Sequence, residues 1–134
     1  MNTLIIPAVI VAIGVASPGA WSQAQAPNLV AKTYYTTPLE NDPSRVVRLR
    51  AVTFPARGES GFHRHPGDQW NTVQEGEVTF TIKGQEPRTL KVGDYAYVPR
   101  GTVHRNQNLT DKPALVIELN IMDKGKPDLE PVTQ

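Results

Sequence analysis

At 134 residues the chain has room for one packed core. Its 14 basic and 13 acidic residues leave almost no net charge, which argues against nucleic acid or an anionic membrane as the main partner. There is no cysteine, so a disulfide scaffold and a thiolate metal site are excluded, and any metal must be held by nitrogen and oxygen.

In chain order the first element is an apolar run, Leu4 to Ala16, followed by small and turn-forming residues in Ser17 to Ala20. Its length suits the apolar core of a signal peptide and is too short to cross a bilayer comfortably. Ser22-Gln23-Ala24 places small residues ahead of a cut, whereas a cut after Ala26 would leave Pro27 behind it. Met1-Asn2-Thr3 has no Lys or Arg, so the competing reading is a retained apolar anchor. The expectation is a signal peptide over 1–24, cleaved after Ala24, and a periplasmic or secreted domain over 25–134. That domain has 134 − 24 = 110 residues and lies off the membrane once processed.

Short strands follow. Val46 to Phe54 mixes β-branched and apolar residues with Arg48 and Arg50 and stops at Pro55. Gln69 to Gln74 comes after a loop. Glu77 to Ile82 alternates strictly, with Val78, Phe80 and Ile82 on one face, the period of a half-buried strand. Arg88 to Val92, Tyr95 to Val98, Val103 to Asn106 and Ala114 to Met122 complete the series, with Gly, Pro or Asp between them. No segment has a helical period. The spacing predicts an all-β sandwich or jelly roll rather than alternating strands and helices. The polar, Pro-rich tail from Asp123 reads as loosely held.

The chain has three histidines. His63-Arg64-His65 sets two imidazoles two residues apart, on one face of an extended segment. Gln69 lies four residues on, and His104 follows the turn Pro99-Arg100-Gly101. These residues resemble the two motifs of the cupin superfamily. The first, G-x5-H-x-H-x3,4-E-x6-G, is met by Gly58 (one residue closer than usual), His63, His65, Gln69 in the Glu slot, and Gly76. The second, G-x5-P-x-G-x2-H-x3-N, is met at every fixed spacing by Gly93, Pro99, Gly101, His104 and Asn108. The resemblance, to small single-domain members of the cupin_2 kind, covers about residues 45–121. It implies a double-stranded β-helix barrel holding one divalent ion with His63, His65, Gln69 and His104. The glycines at 76 and 93 fall where chain reversals favour positive φ.

Gln69 departs from the family pattern. A neutral carbonyl ligand would leave a divalent ion its full charge, favouring Lewis-acid chemistry over support of a higher oxidation state. Imidazole and carbonyl ligands suit Zn, Mn, Fe, Ni and Co alike. A set of three His and one Gln is similar to that of bacterial cupin hydroxynitrile lyases and of a cupin polyketide cyclase, a likeness of ligands only. The opposing reading is a cupin on its way to losing the metal.

Around this set the candidates for proton transfer or substrate contact are Arg50, Tyr97, Asn106 and Glu118. Arg48 and Arg50 would clamp a substrate carboxylate if their face points inward, and are solvated if it points out. Tyr95 and Tyr97 share one face and read first as core aromatics. Trp70 reads as packing rather than a ligand platform. Asn106 falls on the face of His104. Glu118 interrupts Leu115, Ile117, Leu119 and Ile121 on the opposite face, so it is expected to be exposed, and an inward Glu118 would be a proton carrier. Three functions follow: a metal-dependent lyase, isomerase or cyclase on a small oxygenated substrate, a metal-dependent dioxygenase, or a non-catalytic binding module. The resemblance also makes a homodimer an expectation, with residues 27–35 pairing with a second subunit.

Overall fold

The computed structural model describes residues 29–133; the apolar segment and cleavage site predicted within residues 1–24 lie outside them. Ten strands follow in order: β1 (Val30–Leu39), β2 (Asp42–Phe54), β3 (His63–Arg64), β4 (Gly67–Glu75), β5 (Glu77–Ile82), β6 (Arg88–Lys91), β7 (Tyr95–Val98), β8 (His104–Gln107), β9 (Ala114–Asp123) and β10 (Glu130–Pro131). No helix occurs among the described residues, as the period-2 patterns predict. The strands form two five-stranded sheets, ordered β1-β2-β9-β4-β7 and β10-β3-β8-β5-β6, with antiparallel pairing throughout. Chain neighbours such as β4 and β5 sit in different sheets. This is consistent with a jelly roll.

Directly paired residues in an antiparallel sheet share a face, so the register sorts the barrel interior into rows. At one end of the first sheet lie Phe54–Ala114 and Val52–Val116–Val73. With Val78, Phe80, Leu90, Ala96 and Val98 from the other strands they make the hydrophobic core. The next two rows along the same inner face are polar: Arg50–Glu118–Asn71, then Arg48–Asn120–Gln69. The interior is thus dry at one end and lined by hydrogen-bonding groups at the other.

Two glycines permit this geometry. At Gly67 an added Cβ would lie 2.0 Å from the Ile121 carbonyl oxygen, so only glycine lets β4 approach β9 there. Gly76 turns the chain from β4 to β5 at φ 71°, the conformation expected of it, and a Cβ there would meet the Pro113 oxygen at 2.8 Å.

Three expectations are corrected. The predicted series begins at Val46, but residues 30–39 form a further strand, paired with β2. The tail is not loose: Glu130 and Pro131 pair with Arg64 and His63, and the Val132 N–H donates to the Phe62 carbonyl at 2.9 Å. The side chains of β9 also face the other way from the reading above. Ala114, Val116, Glu118, Asn120 and Met122 are buried, while Leu115, Ile117, Leu119 and Ile121 lie on the outer face.

Asn108, the last residue of the second motif, is fully buried. Its amide nitrogen reaches the carbonyls of Phe54, Pro55 and Lys112, the last at 2.7 Å. Its oxygen accepts from the Thr110 N–H and hydroxyl. It ties the end of β2 to the loop before β9. Asn108→Ala strands several of these groups without partners, and should lower unfolding free energy by roughly 2–4 kcal/mol in urea titration. A change under about 0.5 kcal/mol would refute that role.

Candidate metal centre

His63 and His65 enter the barrel from β3 and the residue after it, and His104 opens β8 directly opposite His63. All three side chains are buried, and one ligand nitrogen from each lies within 4.8 Å of the others. The ring centroids of His63 and His104 are 4.4 Å apart, and those of His63 and His65 are 4.8 Å apart.

Each imidazole is held the same way. The Nδ1–H of His63 donates to the Gly61 carbonyl at 2.9 Å, that of His65 to the Asp128 carbonyl at 2.6 Å, and that of His104 to the Thr102 carbonyl at 3.0 Å. A carbonyl only accepts, so it fixes the proton on Nδ1 and leaves the Nε2 lone pair free. The buried Nε2 atoms of His65 and His104 have no hydrogen-bond partner among the described residues. Burial disfavours the charged ring. It holds His63 below its ordinary pKa, His65 at about 4 and His104 at about 3, with mutual repulsion between the rings adding to the last two. Three neutral, converging imidazoles with unused lone pairs fit a divalent metal ion.

The polar rows stand beside this triad. Gln69 is buried, and its Oε1 accepts from the Asn71 amide at 3.1 Å. Its own amide nitrogen is buried without a partner among the described residues. Glu118, expected outside, is instead 5% exposed and faces inward. It takes a 2.6 Å hydrogen bond from Arg50 Nε. Its charge acts on both His63 and His104. Arg50 also faces in, its side chain 13% exposed, which excludes the reading of a solvated surface charge. Arg48 likewise reaches inward and pairs with Asp128, whose other carboxylate oxygen lies 3.8 Å from Arg50. Both guanidinium groups are therefore matched by carboxylates. Asn106 is buried on the His104 side of the barrel, as the alternation of β8 predicted.

Tyr97 is corrected. It pairs with Trp70, stacks on it with centroids 5.1 Å apart, and lies outside the barrel. Tyr95 is outside as well, 72% exposed. Sequence reasoning missed two positions beside the triad. Asn120 was hidden because β9 is apolar on both faces, so alternation alone did not say which face is inner. Asp128 was hidden in a tail that reads as loop, yet its backbone carbonyl orients His65.

With the geometry in place, comparison with known proteins gives the family. Residues 50–121 match the family model described as a cupin domain, and the chain belongs to that family. It is 37% identical over 73 residues to the uncharacterized protein YdbB of Bacillus subtilis, an overlap of 54% of this chain and 61% of that one. It is 32% identical over 68 residues to the dimethylsulfoniopropionate lyase DddQ of Ruegeria pomeroyi, 51% of this chain and 33% of that one. The matches thus span less than two thirds of either relative. Among solved structures, a cupin-like protein from Thermotoga maritima superposes with a TM-score of 0.67 at 24% identity, over 80% of this chain and 77% of that one.

The depressed histidine pKa values fix a pH dependence. Above about pH 6.5 both folded and unfolded chains carry neutral imidazoles. Below it the unfolded chain binds protons that the folded chain refuses down to about pH 4 at His65 and about pH 3 at His104. Stability of the chelator-treated protein must therefore fall as pH drops through 6.5 to 4.5, above the carboxylate range. Calorimetry should show Tm decreasing across that window in the wild type and less steeply in His104→Asn. A flat Tm would contradict the burial of neutral rings.

Proposed function

We propose that the protein is an exported, metal-dependent enzyme of lyase, isomerase or cyclase type, acting on a small oxygenated substrate with one ion held by His63, His65, His104 and Gln69. The observation that carries this reading is the set of three tautomer-fixed imidazoles beside a buried Glu118 on the same inner surface. A divalent ion at that position supplies Lewis-acid polarisation of a substrate oxygen.

The chain's own residues supply the rest. For Gln69 to serve as ligand its carbonyl oxygen must turn toward the triad. The Asn71 side chain then accepts from the Gln69 amide through its own buried, unpaired oxygen. Asn106 and Asn120 each hold a buried amide oxygen with no partner among the described residues. These oxygens accept from hydroxyl or amine protons of the substrate, because a buried acceptor left unpaired is costly. Glu118 moves the proton. Arg50, bonded to its Oε2 and 13% exposed, holds the carboxylate in position, while Oε1 remains available to substrate. The pairing of Arg48 and Arg50 with Asp128 and Glu118 argues against a free carboxylate clamp in the barrel. The likeness to a dimethylsulfoniopropionate lyase supports the lyase class. That relative's substrate is a candidate here, and Glu118 is the buried carboxylate that would serve as its base.

The test is turnover by metal-loaded protein on a panel holding dimethylsulfoniopropionate, β-hydroxy acids and hydroxyketones, followed by proton NMR. Glu118→Gln should keep its bound metal and lose about 10²–10⁴-fold in kcat, and chelation should abolish turnover. Full activity in Glu118→Gln would remove the base assigned here. Oxygen uptake with any panel member would point to the dioxygenase reading instead.

A further inference from the structure

Two guanidinium groups face the barrel interior from neighbouring rows of β2, Arg48 beside Asn120 and Gln69, Arg50 beside Glu118 and Asn71. The partner they share comes from the tail of the chain. Asp128 gives one carboxylate oxygen to Arg48, and its other lies 3.8 Å from Arg50. The two carboxylates that meet these arginines are held differently. Glu118 is buried in the middle of β9, on Arg50 Nε at 2.6 Å. The Asp128 side chain is 44% exposed and stands in the segment between β9 and β10. Its backbone is fixed separately: its carbonyl accepts from His65 at 2.6 Å, and Glu130 and Pro131 pair with β3. The carboxylate can therefore rotate into water while the backbone keeps its hold on His65.

We infer that Arg48 and Arg50 form a carboxylate subsite which Asp128 fills in the resting chain, and that the substrate is a small carboxylic acid whose own carboxylate displaces Asp128. This rests on the enzyme reading above and narrows its substrate class. A carboxylate whose two oxygens face two guanidinium groups is already the arrangement that recognises an acid. The exchange conserves charge. Two cations and two carboxylates face one another before and after it, so no buried charge is left unmatched. A neutral ligand offers no such exchange, because displacing Asp128 would leave a guanidinium group unpaired. Arg50 adjoins both the subsite and Glu118, so an acid seated there lies beside the assigned base. Asp128 thus acts as a built-in competitor, and apparent affinity falls with the fraction of the subsite that it leaves open.

The probe is propionate, titrated by calorimetry, with propionamide as its neutral counterpart. Propionate has no group to eliminate, so its binding is read independently of turnover. Asp128→Asn should bind it about tenfold more tightly than wild type, and Arg48→Gln at least tenfold more weakly, each with a cooperative melt retained. Propionamide should show neither change. Glu130→Gln removes the same charge from the tail but at a side chain that faces Arg64, and should match wild type. The order should persist after chelation, which separates the subsite from direct binding to a metal ion. An affinity in Asp128→Asn no higher than in Glu130→Gln overturns the proposal, as does undiminished binding in Arg48→Gln. Tighter propionate binding in Asp128→Asn without turnover of any panel compound would support the subsite and overturn the enzyme reading alone.

Discussion

Everything at the polar end of the barrel depends on three hydrogen bonds from imidazole Nδ1 to backbone carbonyls. The carbonyls come from three separate stretches, Gly61 before β3, Thr102 before β8 and Asp128 ahead of β10. Because a carbonyl cannot donate, each bond sets a tautomer as well as a ring orientation. Burial removes the alternative of a charged ring, so the site is held as three neutral lone pairs that compete well for a cation.

The same wall divides two tasks by its rows. Val52, Val116 and Val73 close a dry core, and two residues further along each strand Arg50, Glu118 and Asn71 face the site. A step of two residues keeps the face and changes the chemistry. Phe80 marks the boundary: it belongs to the core and its ring lies 5.8 Å from that of His104. The ion pair Arg50–Glu118 is tolerated there because each partner satisfies the other and Asp128 adds a third charge. Removing one member alone would leave a buried charge exposed to a low-dielectric interior.

Much of this was legible in the sequence. The alternation of Glu77 to Ile82, the turn residues and the two histidine motifs led to an all-β barrel with the triad together, since those signals are local or carried by spacing. What was not legible shares one cause. Residues 114–122 are apolar at both odd and even positions, so neither Glu118 nor Asn120 could be assigned to a face until β9 was seen paired between β2 and β4. The tyrosines of β7 failed for the same reason: Tyr95 and Tyr97 read as core because aromatic residues usually are, whereas Ala96 and Val98 fill the interior. The tail lacked any periodic signal, and its order comes from tertiary partners, Arg48, His65 and β3.

Whether these imidazoles hold a single ion is answered by elemental analysis by mass spectrometry. Wild-type protein purified without added metal would be measured beside His65→Ala and Gln69→Ala. Close to one transition-metal ion per chain is expected in the wild type, essentially none in His65→Ala, and a reduced content in Gln69→Ala. A wild type that is metal-free, and remains so after incubation with Mn, Fe, Ni and Zn salts and desalting, would contradict it.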